Sequence, residues 1–266
     1  MASKRDSAVG QFRRDGYAVV HDVVDTSALA ETQQFLESRI AREIDLACKE
    51  IGCPDPADFI AHIGRQAESS GVGLSKGTRD ALSGHFSLET RLSQELWRIP
   101  RDVGLRKFLE ELFGSRQLFM HMPPTARFVL PGNVYAGVPA HQDVSYNHHM
   151  TDFVTVWVPM VDIDRECGGV TVFRGSNATK ELLAGAETDK FWLKSLPTGA
   201  YEAEHCTMRL GDVLVLSKWI LHESMPNRSR RTRISTDCRF FPATERSKKH
   251  VLDMQRWEVI EPGVPA

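Results

Sequence analysis

At Gly114 the apolar residues of this chain change period, and that change bounds the architectures open to it. Before it, Leu29, Phe35, Leu36, Ile40, Ile44 and Ala47 recur near helical spacing, so residues 27–50 read as one helix with Asp25, Thr26 or Ser27 as candidate N-caps. Cys53-Pro54-Asp55-Pro56 breaks that helix. Further helical patterns cover 57–65, 78–97 and 103–113, the first two separated by the Ser/Gly-rich stretch 68–77. After Gly114 strands take over, at roughly 117–122, 125–130, 138–145, 152–161, 169–174, 200–209, 212–217 and 233–241. Segment 178–199 reads as an irregular or helical insertion. Helices first and strands after give an α+β chain, with a double-stranded β-helix (jelly-roll, cupin-like) core and N-terminal and flanking helices. At 266 residues and 41% hydrophobic content the chain can bury a sizeable core as one domain. That domain would span 1–266, helical to about residue 116 and jelly-roll over about 117–245.

The last of these strands alternates. Arg233, Ser235, Asp237 and Arg239 fall on one side, and Ile234, Thr236, Cys238 and Phe240 on the other. Water normally takes the polar face of such a strand, but in a small barrel that face can line a ligand pocket, where a buried arginine requires an anion. In 152–158, Val154, Val156 and Val158 face one way and Phe153, Thr155 and Trp157 the other. Both faces read as buried, and which of them meets a pocket is open. Asp162 to Gly169 reads as a hairpin connection, with Gly168-Gly169 suited to positive φ.

Chemistry is carried by His141-Gln142-Asp143 and by His222 far downstream. Side chains two apart on an extended segment point the same way, so His141 and Asp143 can converge on one ion while Gln142 turns aside. Two imidazoles and a carboxylate can hold one face of iron(II) and leave the opposite positions open. An H-x-D triplet is common by chance, so context has to decide. That context lies around His222: a turn at Gly211-Asp212, a β-prone run from Val213 to Leu216, a second turn at Pro226-Asn227, then Arg233. A guanidinium fork matches a carboxylate bidentately, which lysine cannot do. Arg228, Arg230 and Arg231 compete for that role, but they sit in a Ser/Asn-rich turn suited to solvated charge. Arg233 begins the alternating strand and shares parity with Ser235, which favours it.

In their order these pieces resemble the phytanoyl-CoA dioxygenase family of iron(II)/2-oxoglutarate oxygenases. The resemblance runs from Phe12-Arg13-Arg14-Asp15-Gly16-Tyr17-Ala18-Val19-Val20 through His141-Gln142-Asp143, Val156-Trp157-Val158-Pro159 and Val161-Asp162. It continues with Gly168-Gly169-Val170 and Gly175-Ser176 to His222-Glu223-Ser224 and Arg233. It implies His141, Asp143 and His222 as the catalytic metal ligands. It also implies Arg233 on the distal carboxylate of 2-oxoglutarate, Ser224 adding a hydrogen bond, and Trp157 close to the co-substrate. The implied enzyme is an Fe(II)/2-oxoglutarate-dependent dioxygenase using Fe(II), 2-oxoglutarate and O₂. It would hydroxylate, or otherwise oxidise, a C–H bond of a small molecule and release succinate and CO₂, in natural-product biosynthesis. Related halogenases carry a small residue where this chain has Asp143, so oxidation is implied instead of halogenation. Many relatives carry histidine after the Gly-Ser pair; here it is Asn177.

Substrate contacts are expected at Arg127, Tyr146 and Arg239, with Asn147 a further pocket-rim candidate. Arg127 and Arg239 would suit an acidic group, and an ordinary salt bridge is the competing reading of each. His148 and His149 are adjacent, so on a strand at most one could face the metal; their roles are open. Two other classes share such a fold. A cupin-type metalloenzyme not using 2-oxoglutarate would leave Arg233 without a carboxylate, and a non-catalytic jelly-roll binding protein would need no triad.

Composition narrows the partners. The formal charge is −2 with both signs interspersed, which leaves no electrostatic footprint for nucleic acid. No apolar run is long enough to cross a bilayer, and Met1 to Asp6 holds no signal-type stretch. Cys48, Cys53, Cys167, Cys206 and Cys238 lack paired spacing and read as reduced thiols. The expectation is a cytoplasmic enzyme whose partner is a small-molecule substrate, with no nucleic acid, no membrane and an open oligomeric state.

Overall fold

A ten-residue strand near the C-terminus organises the molecule. The computed structural model describes residues 4–62, 73–183, 188–189, 192–193 and 200–262. Helix α1 (Lys4–Asp15) leads into strand β1 (Tyr17–Val20) and helix α2 (Thr26–Ile51). Short helices follow at Lys76–Leu82, Leu88–Arg91 and Arg98–Arg101, then helix α3 (Val103–Phe113). Strands β2 (Leu118–His121), β3 (Thr125–Val129), β4 (Val154–Pro159), β5 (Gly169–Arg174), β6 (Thr188–Asp189) and β7 (Trp192–Leu193) come next. They are followed by β8 (Glu202–His205), β9 (Val213–Ser217), β10 (His222–Met225), β11 (Arg233–Pro242), β12 (Val251–Asp253) and β13 (Glu258–Ile260).

The strands make a large antiparallel sheet, β1-β9-β4-β11-β2-β12-β13 with β3 also on β11, and a small one, β10-β5-β8. Together they are the jelly-roll core of an α+β fold. Strand β11 pairs with β4 along one side and with β3 and then β2 along the other. Its apolar residues Ile234, Cys238 and Phe240 join Val154, Val156 and Val158 of β4 on the outer face, beneath the helices. Helix α2 starts where the Asp25 carboxylate accepts from the backbone N–H groups of Ser27 and Ala28, and stops at Gly52, φ +68. Its stripe of Leu29, Leu36, Ile44, Ala47 and Ile51 packs into this core with Leu105, Phe108 and Leu109 of α3. Each Leu, Ile or Phe among them, fully buried, contributes roughly 1.5–3 kcal/mol. With one face so covered, the other face of the sheet is left to form a pocket.

Several expectations fail for identifiable reasons. The helical pattern over 78–97 is broken into short pieces, Lys76–Leu82, Leu88–Arg91 and a 3₁₀ turn at Gln94–Trp97. The buried Glu43 carboxylate of α2 accepts from Ser87 N–H at 3.1 Å, Ser87 Oγ at 2.6 Å and Thr90 Oγ1 at 2.9 Å. Gly84, at φ +74, turns the chain so that 84–86 pairs along β3, with Phe86 N–H on Ala126 O and Phe128 N–H on Gly84 O. The strand expected over 138–145 does not form. His141 makes an isolated bridge, and Asp143–Tyr146 is a 3₁₀ turn closed by Ser145 N–H on Gln142 O. Asp162 to Gly169 is no hairpin, because β4 lies in the large sheet and β5 in the small one. The chain crosses between sheets there, with Gly168 and Gly169 at φ +83 and +99. Asn177 packs on Gly16, where a Cβ would collide with it.

Helix α1 and strands β1, β10, β12 and β13 went unassigned from the sequence; the four strands hold three or four residues each. Within the expected insertion, β6 and β7 pair with each other, while 184–187, 190–191 and 194–199 lie outside the described residues. Of the pattern over 57–65, Pro56–Asp58 is a 3₁₀ turn and 59–62 is helical; 63–65, and 68–72 of the linking stretch, lie outside the described residues. No described helix is long and apolar enough to cross a membrane.

Candidate metal centre

His141 and His222 are direct cross-strand partners: each backbone N–H donates to the other's carbonyl, at 2.9 and 3.0 Å. A hydrogen-bonded antiparallel pair puts both side chains on one face, and here the ring centroids lie 4.3 Å apart. His141 Nδ1 is 2.8 Å from Pro139 O, and His222 Nδ1 is 3.0 Å from Ile220 O. A carbonyl can only accept, so both Nδ1 atoms carry the proton and both Nε2 lone pairs are free. That is the tautomer in which imidazole binds a metal, its other nitrogen held by a backbone carbonyl.

Asp143 opens the 3₁₀ turn and completes the cluster: one donor atom from each of the three residues lies within 4.8 Å of the others, and all three residues are buried. Gln142 turns aside as expected, donating from Nε2 to Trp219 O at 2.6 Å and accepting Leu183 N–H at 2.8 Å. Burial, reinforced by the neighbouring His222, pushes the His141 imidazole down to about 3, so it is neutral at ordinary pH. Burial alone would raise the Asp143 carboxyl. The Arg239 guanidinium, the two imidazoles and the Thr155 hydroxyl outweigh it and hold the group well below the usual carboxylate range. Two imidazoles, each with Nδ1 held by a backbone carbonyl, and one carboxylate, open on the far side, suit iron(II).

A cavity of about 240 Å³ opens before these donors. Arg233, Ser235, Asp237 and Arg239 of β11 all line it, as the alternation requires. Across β11, Arg239 stands opposite Thr155, Asp237 between Trp157 and Thr125, and Ser235 opposite Arg127. The face of β4 that meets the pocket is therefore that of Thr155 and Trp157. The small sheet contributes His222, Ser224 and Val170.

Arg233 is 3% exposed. Its Nη1 donates to Met225 O at 2.8 Å, its Nε has no partner, and among the described residues it makes no ion pair with a carboxylate. Burial, then the nearby Arg127 charge, lowers this guanidinium to about 10, still cationic at neutral pH. Arg127 is also buried; its Nη2 donates to Ser83 O at 3.0 Å and to Ala136 O at 2.5 Å, and it too makes no ion pair among the described residues. Arg239 does pair, with Asp143. Tyr146 lines the cavity, edge-on to His141 with centroids 5.6 Å apart. Asn147 is buried outside the lining, and His148 and His149 do not line the cavity.

Nine lining residues had not been singled out as site residues, among them Asp237, Thr155, His85 and Lys249. Asp237 and Thr155 share the parity of Arg233 and Trp157, a signal that could have found them. Lys249 comes from a loop and His85 from the short pairing beside β3, and neither carries a periodic signal. Burial, then Arg127, pushes the His85 imidazole down to about 3, and burial raises the Asp237 carboxyl against the pull of Arg127 and Arg239. The five cysteines are buried and unbridged.

Residues 12–235 match the phytanoyl-CoA dioxygenase (PhyH) family. Two relatives are the 1-deoxypentalenic acid 11-beta-hydroxylases of Streptomyces arenae and Streptomyces exfoliatus, 28% and 30% identical over 165 residues. The matched stretch is 56% of this chain and 57% of the relatives, so little more than half of their length is spanned. Among solved structures, the epimerase SnoN in complex with Fe3+, alpha-ketoglutarate and nogalamycin RO aligns with a TM-score of 0.58 at 19% identity, over 91% of this chain and 85% of that one. AviO1 from Streptomyces viridochromogenes Tue57 aligns with a TM-score of 0.57 at 17% identity, over 90% and 96%. At such identities the likeness is one of fold.

Proposed function

Since the chain belongs to the phytanoyl-CoA dioxygenase family, we propose that it is an Fe(II)/2-oxoglutarate-dependent oxygenase that hydroxylates a C–H bond of a small anionic molecule. One observation carries this reading: two imidazoles and a carboxylate converge beside a buried guanidinium that makes no ion pair among the described residues. Iron(II) held by His141 Nε2, His222 Nε2 and Asp143 would supply O₂ activation, coupled to conversion of 2-oxoglutarate to succinate and CO₂.

The protein's own part is to bind, orient and exclude water. Arg233 takes the distal carboxylate of the co-substrate, Ser224 adds its hydroxyl, and Arg127 deepens the positive field around them. Trp157, Val170 and Leu216 give the cavity an apolar wall that limits water near the reacting centre. A cavity of about 240 Å³ is smaller than the roughly 300–1,000 Å³ typical of ligand pockets. The co-substrate therefore fills much of it, and the substrate reaches in past Tyr146 and Lys249.

Charge sets the substrate class. Four cations, Arg127, Arg233, Arg239 and Lys249, line the cavity against two carboxylates, Asp143 and Asp237. Iron(II) and 2-oxoglutarate bring equal and opposite charges, so the positive surplus persists until an anionic substrate enters. The two Streptomyces hydroxylases are named for an acid, which agrees in kind. The test is anaerobic: Fe(II) and 2-oxoglutarate added to the metal-free protein should give a weak visible charge-transfer band. In air, small carboxylic acids should raise succinate release, and their methyl esters should not. Iron binding without the band would favour a metalloenzyme that does not use 2-oxoglutarate. Equal stimulation by acids and esters would remove the anionic-substrate assignment.

A further inference from the structure

Arg239, read from the sequence as a substrate contact or a salt-bridge partner, forms an ion pair with Asp143 of the metal cluster. Its Nη2 donates to Asp143 Oδ1 at 2.7 Å, and Thr155 Oγ1 donates to Asp143 Oδ2 at 2.5 Å. Each oxygen of one carboxylate thus has its own protein donor. The register explains why both arrive together: Arg239 on β11 and Thr155 on β4 are cross-strand partners on the face that lines the cavity. The Asp143 side chain is 2% exposed, so these bonds form where water competes little. Arg239 is braced in turn, with its Cζ 5.4 Å from the centre of the Tyr146 ring, which meets His141 edge-on.

We propose that Arg239, with Thr155, is a positioning residue of the metal centre, holding the Asp143 carboxylate in the orientation that presents a lone pair to the ion alongside both imidazoles. This rests on the metal-binding reading given above. An ionised carboxylate has about four lone-pair sites. The two donors engage one site on each oxygen and leave the others free for an ion. Asp143 sits in a 3₁₀ turn, outside any strand, so the ladder of the sheet does not fix its side chain. Fixing it with hydrogen bonds from two rigid strands places the ordering cost in folding, before the metal binds.

Arg239 also has an opposing effect, which makes the idea sharp. A guanidinium beside a cation site repels the cation. If charge alone mattered, removing Arg239 would tighten metal binding; if positioning dominates, removal weakens it.

The experiment uses the full chain, stripped of metal with a chelator and titrated anaerobically with Mn(II), the free ion being followed by electron paramagnetic resonance. Thermal unfolding of the metal-free proteins is measured in parallel. Arg239→Met should weaken Mn(II) binding about 10–100-fold, Arg239→Lys should recover part of the loss, and Thr155→Val should show a smaller loss. The bound-Mn(II) spectrum of Arg239→Met should also change, which a role in folding alone would not produce. Unchanged or tighter binding by folded Arg239→Met overturns the proposal. If that variant does not fold, unchanged binding in both Arg239→Lys and Thr155→Val overturns it instead. Absence of Mn(II) and Fe(II) binding in the unaltered protein would refute the metal centre itself, so the two failures are told apart.

Discussion

Replacing Arg233 tests the co-substrate anchor with a magnitude that the structure helps to set. In the protein as it stands, one guanidinium nitrogen is committed to Met225 O at 2.8 Å, Nε is unpartnered, and no carboxylate pairs with the group among the described residues. The remainder of the fork is available to an incoming carboxylate. Charge-assisted hydrogen bonds contribute about 1.5–3 kcal/mol each, and truncating one side of a buried charged pair costs about 2–5 kcal/mol. Arg127 stays nearby and offsets part of this. A net loss of about 3 kcal/mol for Arg233→Met corresponds to roughly a hundredfold rise in the Kd for 2-oxoglutarate. Arg233→Lys keeps a charge without the fork and should raise Kd about tenfold. The assay is an anaerobic titration at saturating Fe(II), following the visible band. Arg233→Met also leaves Met225 O without this donor, so chemical denaturation is run alongside to separate a fold defect. Metal affinity without 2-oxoglutarate should not move. A Kd within threefold of the unaltered protein would show that the distal carboxylate does not sit on Arg233.

Two further outcomes follow from local geometry. At Gly168, φ +83, a Cβ would meet Met225 O and Pro226 O at 2.6 Å and Arg233 Nη1 at 2.7 Å; Gly168→Ala should weaken 2-oxoglutarate binding at least several-fold and spare metal affinity, and an unchanged Kd counts against this packing. Burial, then Lys249 and Arg239, pushes the His121 imidazole from 6.5 down to about 3, so the unfolded chain binds more protons between those values and stability falls as pH drops through about 6.5 toward 3. His121→Leu should therefore lose less stability between pH 7 and pH 5, by at most about 2 kcal/mol, in denaturant melts; equal losses would contradict the buried neutral imidazole.

The sequence revealed elements whose physics is local. Helix α2 was legible because its apolar stripe and the Asp25 cap act within a few residues, and β5 was placed to the residue for a similar reason. The polar face of β11 was legible as a pocket face because Arg233, Ser235, Asp237 and Arg239 keep strict parity beside an apolar companion face. Partnerships were not legible. Whether Asp162 to Gly169 turns back or crosses over depends on which strands pair with β4 and β5, and no local residue encodes that. Residues 78–97 have helical spacing, but Glu43, far away in sequence, supplies the hydrogen bonds that break the run. The same limit applies at the site. Arg239 was recognised as a pocket residue, yet its partner, Asp143, lies on a turn whose path only the fold defines.

Everything turns on whether His141, Asp143 and His222 hold one ion. Anomalous diffraction at the iron edge, from crystals soaked anaerobically with Fe(II) and 2-oxoglutarate, measures this directly. The predicted map has one strong peak bounded by His141 Nε2, His222 Nε2 and an Asp143 carboxylate oxygen, with the far carboxylate of the co-substrate on Arg233. Iron bound elsewhere, or no iron at these three donors, would contradict the metal centre and the oxygenase assignment with it.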